Sequence, residues 1–333
     1  MKVIHLLPAL EQGGVETVVC DLVRALTDCE SAVISKGGRM VERIEAAGGR
    51  HIALDLKSKN PLTYFTRAWK LRRILRAEKP DLVCVHSRVP AWLFVWANRT
   101  LGLRWITYAH GANSVSRYSE IMSKGDLVIV PSRFLADYLK ANYGTPEAKI
   151  RVIPNAVDAE RFDLDHLDQA FVAEKRREWG IREGDRVLMA IGRITPVKGL
   201  DNLIRTTPSD VKLVIVGGAD KHHLKYLDLL KTLAGSNVIF AGPQEKIPEC
   251  ISIADEIVSA NTTKPETFGL SVIEAYAMNK PVRAKRFGGV AEVMEAVENS
   301  GKPTLREAVI SLYAPCLQAE RTLAAYREAM DMV

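Results

Sequence analysis

Short, unbroken apolar runs recur along this chain, and nearly every one is followed by a helical pattern. In the first half they are Lys2–Leu7, Ser31–Ile34, His51–Leu54, Leu82–His86, Trp105–Ala109, Leu127–Pro131 and Ile150–Ile153. In the second half they are Val187–Ile191, Leu213–Val216, Val238–Ala241 and Glu256–Ser259. A strand wetted on one face alternates apolar and polar residues, whereas a run apolar throughout is buried on both faces. Burial on both faces needs helices above and below, and strand–helix alternation supplies them in a parallel, doubly wound sheet. The fold class expected is therefore α/β with two Rossmann-like domains, since 333 residues suffice for two cores. Pro154-Asn155 breaks the first series, and residues 155–186 are rich in charge and poor in strand signals. The expected domains are 1–156 and 157–310. A helical tail, 311–333, is expected to pack back on the first domain.

Several classes are excluded early. Five cysteines form no CxxC and no ligand-like cluster with histidine, which points to a reducing compartment and buried thiols. No apolar run approaches the roughly 20 residues that span a bilayer. The apolar start meets Glu11 without a small-residue cleavage site, so it is not read as a signal peptide. A cytoplasmic chain is expected. Residues 1–160 hold 23 Lys and Arg against 16 Asp and Glu, while the remainder holds 23 against 24. The basic excess belongs to the first half, which suits an acidic partner, either anionic lipid or nucleic acid.

The chemistry is densest in Pro265-Glu266-Thr267-Phe268-Gly269-Leu270-Ser271-Val272-Ile273-Glu274-Ala275. Gly269 reads as the turn that ends a loop and opens a helix, placing Glu266 in the loop and Glu274 on the first helical turns. Free N–H groups at a helix N-terminus attract phosphate, and carboxylates accept from hydroxyls. Together they suit a sugar nucleotide, with Phe268, Gly269 and Leu270 forming the turn against it. Gly192-Arg193-Ile194-Thr195-Pro196-Val197-Lys198-Gly199 follows the first strand of the second half. Arg193 and Lys198 are two fixed cations that could hold a pyrophosphate and stabilise it as it leaves. Gly13 and Gly14, in Gln12-Gly13-Gly14-Val15-Glu16, permit close approach of backbone to ligand, as does Gly217 after the next strand. Gly288-Gly289 opens another helix whose backbone N–H groups could touch phosphate or sugar. His86 and His110 each end a strand, where ligands of parallel sheets bind. For His86 a capped core histidine and a contact residue are equal readings, and with Asn113 it is placed on the acceptor side. Asp163-Leu164-Asp165 matches a metal-binding pattern, but no buried strand precedes it, so solvation of a linker is expected. No metal site and no cofactor are expected.

The order GGVE, HG, IPNAVD, GRITPVKG, ETFGLSVIEA and GGVAE resembles the retaining glycosyltransferases of family four, over roughly residues 1–295. The resemblance implies the GT-B fold, two Rossmann-like domains facing across a cleft, with 1–156 on the acceptor side and 157–310 binding the nucleotide-sugar. It implies that Arg193 and Lys198 meet the donor pyrophosphate, that Glu274 binds ribose hydroxyls and that Glu266 binds donor-sugar hydroxyls. Gly14 matches the glycine near the donor phosphate, and His110 the histidine beside the transferred sugar. Catalytic roles thus fall to His110, Arg193, Lys198 and Glu266, and donor binding extends over Gly13, Gly192, Gly217 and the 268–270 turn. Arg286-Phe287 stands where the family has a small residue before GG, and the segment after Glu292 looks shortened.

Residues 61–79 read as a basic amphipathic helix, with Tyr64, Phe65, Trp69, Leu71, Ile74 and Leu75 as apolar surface. Arg67, Lys70, Arg72, Arg73, Arg76 and Lys79 supply its charge. Aromatic and basic residues on one helix suit an anionic bilayer surface, with Trp69, Arg72, Arg73 and Arg76 as the contacts. An ordinary scaffold helix is the equal alternative. The function expected is transfer of a hexose, with retention, from a nucleotide-diphosphate sugar (UDP favoured) to an acceptor hydroxyl. The expected setting is cell-surface glycan or lipopolysaccharide biosynthesis, peripheral on the inner face of the cytoplasmic membrane. The partners are the nucleotide-sugar donor and a glycan or glycolipid acceptor. A nucleotide-sugar epimerase on the same fold is the alternative, and a basic nucleic-acid-binding protein a weaker one, since no recognised binding module is present.

Overall fold

The computed structural model describes residues 1–11, 13–261 and 264–332, and the chain divides into two compact units. The first unit holds β1 (Lys2–Leu6), α1 (Gly14–Ala25), β2 (Glu30–Ser35), α2 (Val41–Ala46), β3 (Arg50–Ala53) and α3 (Tyr64–Glu78). It continues with β4 (Leu82–Val85), α4 (Arg88–Asn98), β5 (Trp105–Tyr108), β6 (Leu127–Val130), α5 (Arg133–Tyr143) and β7 (Ile150–Val152). Its seven strands run in the order β3-β2-β1-β4-β5-β6-β7, and each neighbouring pair is parallel. The apolar runs explain this directly: Val3, Ile4, Val83 and Val85 are fully buried in the strands, between helices on the two faces.

The second unit contains α6 (Gln169–Glu178), β8 (Val187–Ile191), α7 (Leu200–Thr206), β9 (Lys212–Val216), α8 (Leu224–Leu233), β10 (Val238–Gly242) and α9 (Ile247–Ile253). It goes on through β11 (Glu256–Ser259), α10 (Leu270–Ala277), β12 (Val282–Ala284), α11 (Gly289–Glu298) and α12 (Leu305–Tyr313). Its parallel sheet has the order β10-β9-β8-β11-β12. The central strand of each series, β1 or β8, is where the strand order reverses. Ligands of such sheets bind at this switch point, outside the carboxyl ends of the strands. The shortest strand of this sheet, β12, is absent from the sequence reading. It is three residues long and carries Arg283, whose guanidinium bonds the Glu256 carboxylate at 3.0 Å from the neighbouring strand.

The charged stretch after Asn155 is structural rather than a bare linker. Val157, Phe162, Trp179 and Ile181 enter the core of the second unit. The Arg306 guanidinium fastens it further, donating to the Ala277 carbonyl at 2.7 Å and to that of Ala159 at 3.0 Å. Asp163 accepts from the backbone of Asp165 at 3.1 Å and faces His166 at 3.0 Å, so it caps a 3-10 turn. The final helix, α13 (Pro315–Asp331), belongs to the first unit, where Tyr326 is buried and Glu328 accepts from Arg151 at 2.8 Å. Of the five free cysteines, Cys20, Cys84 and Cys250 are buried, while Cys316 is exposed.

The basic helix begins as a 3-10 turn, Pro61–Thr63, capped by Asn60, and runs on as α3. Its faces differ from the sequence reading. Leu71 and Leu75 lie in the core, and so does Arg67, whose guanidinium donates to the carbonyls of Thr63, Asp55 and Asn60 at 3.2–3.3 Å. The exposed apolar side chains are Leu62 (88%), Phe65 (61%) and Trp69 (50%). The Arg73 guanidinium lies 4.9 Å from the Trp69 ring centroid. Among the described residues, no helix is long and apolar enough to cross a membrane.

Candidate functional site

In the second unit the strand-end turns are built against one another. The N–H of Gly192 donates to the Val216 carbonyl at 2.9 Å, that of Ile194 to Gly218 at 2.9 Å, and that of Gly217 to Gly242 at 2.9 Å. Gly192 has φ +143° and Gly217 φ +144°, a region that favours glycine. A Cβ on Gly217 would overlap the Gly192 carbonyl oxygen. The glycines therefore let neighbouring turns touch, and the turn after β8 is fixed where the strand order reverses. A cleft there is lined by Gly192, Arg193, Lys198, Ser259, Ala260 and Asn261.

One of these lining residues pairs with a residue far from it in sequence. The Lys198 ammonium forms an ion pair with the Glu266 carboxylate, and both side chains are less than a third exposed. Arg193 is exposed and, among the described residues, makes no ion pair. Asn261 is only 6% exposed, and its Oδ1 has no partner among the described residues. Sequence reading missed Asn261; its place just past β11, at the switch point, was the available signal.

Glu266 is held by the second glycine pair. Gly288 adopts φ +68° and ψ −153°, a conformation reserved for glycine, and a Cβ there would lie 2.7 Å from the Glu266 carbonyl oxygen. The Gly289 N–H donates to that carbonyl at 2.8 Å. The Gly289 donor is thus engaged by the Glu266 loop rather than open to a ligand. Phe268 is likewise an anchor: its side chain is 4% exposed and packs edge-on to Tyr313 at 5.6 Å. Gly269, at φ +99°, opens α10, and Leu270 and the half-buried Glu274 follow on that helix. A Cβ on Gly289 would overlap the Thr267 carbonyl oxygen. Gly289→Ala is therefore expected to displace the 266–268 segment and lower stability by about 2 kcal/mol. Urea unfolding measures the loss, and wild-type stability would show that the loop is not held in this way.

In the first unit, Gly13 caps α1 with an ordinary extended backbone and Gly14 is its first residue. Gln12 lies outside the described residues. A Cβ on Gly13 would come nearest the flexible Glu16 carboxylate, at 2.5 Å. Asn113 turns its amide onto the Gly111 carbonyl at 3.3 Å, so its side chain serves its own loop. His86 is buried, with Nε2 3.0 Å from His5 Nδ1 and Nδ1 2.9 Å from His110 Nε2. His5 was missed in the sequence. Burial lowers His5 to about 4 and His110 to about 3, and holds His86 well below the ordinary imidazole value, so all three are neutral at pH 7. Among the described residues, one group of potential metal ligands occurs, His5, Cys84 and His86. Its two imidazoles already bond each other, and burial pushes the Cys84 thiol up to about 12, far from the thiolate a metal takes.

Two doubly wound parallel units, one with fixed cations and a carboxylate at its switch point, define a GT-B architecture. The family model "Glycosyltransferase Family 4" matches residues 12–161, and "Glycosyl transferases group 1" matches residues 171–305. The chain belongs to the GT-B glycosyltransferases of family four. A relative from Salmonella typhimurium, lipopolysaccharide 1,2-N-acetylglucosaminetransferase, is 26% identical over 70% of this chain and 62% of its own length. The chain thus spans less than two thirds of that relative. A glycosyltransferase structure from Rickettsia africae superposes with a TM-score of 0.82 at 23% identity, covering 100% of this chain and 99% of that one. Alr3699/HepE from Anabaena, in complex with UDP-glucose, gives a TM-score of 0.77 at 20% identity, covering 99% and 98%.

Proposed function

We propose that this chain is a retaining hexosyltransferase that uses a nucleotide-diphosphate sugar, with UDP favoured, and an acceptor hydroxyl on a cell-surface glycan or glycolipid. The observation that carries the reading is the switch-point cleft of the second unit. There, two cations, one of them paired with the Glu266 carboxylate, offer complementary chemistry to a diphosphate and to sugar hydroxyls. The Salmonella relative's lipopolysaccharide substrate and the UDP-glucose of the Anabaena complex support the choice of donor and acceptor. In this reaction the bond from the anomeric carbon to the diphosphate breaks, and the acceptor oxygen bonds the same face. The acceptor's proton passes to the departing diphosphate. Arg193 and Lys198 stabilise the charge that grows on that group, which is the task a metal ion performs elsewhere. Glu274 takes the ribose hydroxyls, Glu266 the sugar hydroxyls, and His110, neutral, bonds the transferred sugar. Donor binding in the presence of EDTA is the test, by thermal shift against UDP-, GDP- and ADP-sugars. A donor at 100 times its Kd stabilises by about 2.7 kcal/mol. If no sugar nucleotide shifts the transition, the reading fails; if only a GDP- or ADP-sugar does, the base is wrong; binding that needs a divalent ion overturns the metal-free mechanism.

The exposed Leu62, Phe65 and Trp69, with Arg73 beside Trp69, support contact of α3 with an anionic membrane surface. Neutralising Arg72, Arg73 and Arg76 together is expected to weaken vesicle binding by about 1 kcal/mol per charge at low salt. Turnover on a soluble acceptor should not change. Equal sedimentation of the triple variant and wild type with phosphatidylserine vesicles would reduce α3 to scaffold.

A further inference from the structure

Three histidines stand at the carboxyl ends of the adjacent strands β1, β4 and β5: His5, His86 and His110. They are joined in series, His5 Nδ1 to His86 Nε2 at 3.0 Å and His86 Nδ1 to His110 Nε2 at 2.9 Å. A neutral imidazole has one N–H and one bare nitrogen. His86, bonded through both nitrogens, must donate with one and accept with the other. The series therefore has only two polarities, and each fixes the tautomer of all three rings. If His110 donates inward, the series ends at His5 Nε2–H, buried. If His5 donates outward, His5 Nε2 is a bare lone pair. His5 Nε2 has no partner among the described residues, in a side chain with no exposed surface. A buried donor without an acceptor is the rarer and costlier orphan. The polarity is thus His5 Nδ1–H to His86 Nε2, then His86 Nδ1–H to His110 Nε2.

We infer that His5 and His86 are positioning residues that fix His110 as its Nδ1–H tautomer, so that it meets a substrate oxygen as a hydrogen-bond donor. The Tyr108 ring stacks on His110 at 4.5 Å and 2° from parallel, which holds the plane of the ring. Tyr108 is itself held through its hydroxyl, 3.4 Å from the Ile153 carbonyl, Asn155 Oδ1 and Gln318 Nε2. Burial keeps the series neutral, and protonation would turn an accepting ring into a second donor and break it. The consequence for turnover rests on the reading of His110 as a partner of the transferred sugar; the tautomer does not.

Long-range proton–nitrogen correlation on the full chain at pH 7 reads the tautomer directly. His110 is expected to show a pyrrole-like Nδ1 and a pyridine-like Nε2, and the reverse pattern would overturn the inference. In His86→Phe, His110 Nε2 loses its donor and should revert to the Nε2–H form that an unconstrained histidine favours. Retention of Nδ1–H there would remove His86 from the role. If that variant does not fold, the wild-type spectrum alone decides. With His86→Phe folded, kcat should fall roughly tenfold while free UDP binds as in wild type. Unchanged turnover in His110→Ala would overturn the sugar contact and leave the tautomer standing.

Discussion

Replacing Lys198 or Arg193 by alanine is expected to lower turnover by roughly 100-fold or more, because in the proposed reaction each removes a fixed positive charge from the departing diphosphate. The structure separates the two variants. Arg193 is exposed and makes no ion pair among the described residues, so Arg193→Ala should leave folding stability untouched. Its whole effect falls on bound states. Lys198 is paired with Glu266, so Lys198→Ala also strands a half-buried carboxylate in the cleft where the diphosphate is proposed to bind. That carboxylate repels the anion, and Lys198→Ala should therefore weaken free UDP binding more than Arg193→Ala does. Removing Glu266 as well should restore part of the UDP affinity, because the repelling charge goes with it. Titration calorimetry with UDP, together with initial rates, measures all of this. Near-wild-type turnover in both single variants would remove the cations from the mechanism.

Much of the architecture is legible in the sequence because burial on both faces leaves unbroken apolar runs, as in Leu82–Val85 or Leu127–Val130. The short β12 escapes because its three residues hold only one large apolar side chain, Val282, set between Lys280-Pro281 and Lys285-Arg286. Helix α3 is legible as a helix, but not which cation it buries. Arg67 goes inside because the carbonyls of Asp55, Asn60 and Thr63 converge on its guanidinium, and no periodicity encodes that. The candidate site shows the same division. Gly288 and Gly289 announce a close approach of backbone, yet only the fold shows that the approaching group is the Glu266 loop. Each histidine of the series looks isolated until the order β1-β4-β5 sets three strand ends side by side. Lys198 and Glu266, 68 residues apart, carry no local sign of their pairing.

That pairing sharpens what the two carboxylates should do. Ribose belongs to both the whole donor and the free nucleoside diphosphate, whereas the hexose belongs to the donor alone. Glu274→Ala should therefore weaken donor and free UDP alike. A hydroxyl contact to a charged acceptor is worth about 1.5–3 kcal/mol, or roughly ten- to a hundredfold in affinity. Glu266→Ala should weaken the donor by a similar factor, but it also releases Lys198 from its ion pair. Free UDP should then bind at least as tightly as to wild type, since the ammonium no longer exchanges one anion for another. The two variants thus move free UDP affinity in different directions while both weaken the complete donor. Kinetics should divide in the same way: Glu266, proposed to bind the reacting sugar, should affect kcat, and Glu274 mostly KM. Equal loss of UDP affinity in both variants would put Glu266 on the nucleotide instead of the sugar. If neither variant loses donor affinity, the carboxylates are no part of donor recognition, and the diphosphate is held by the cations alone.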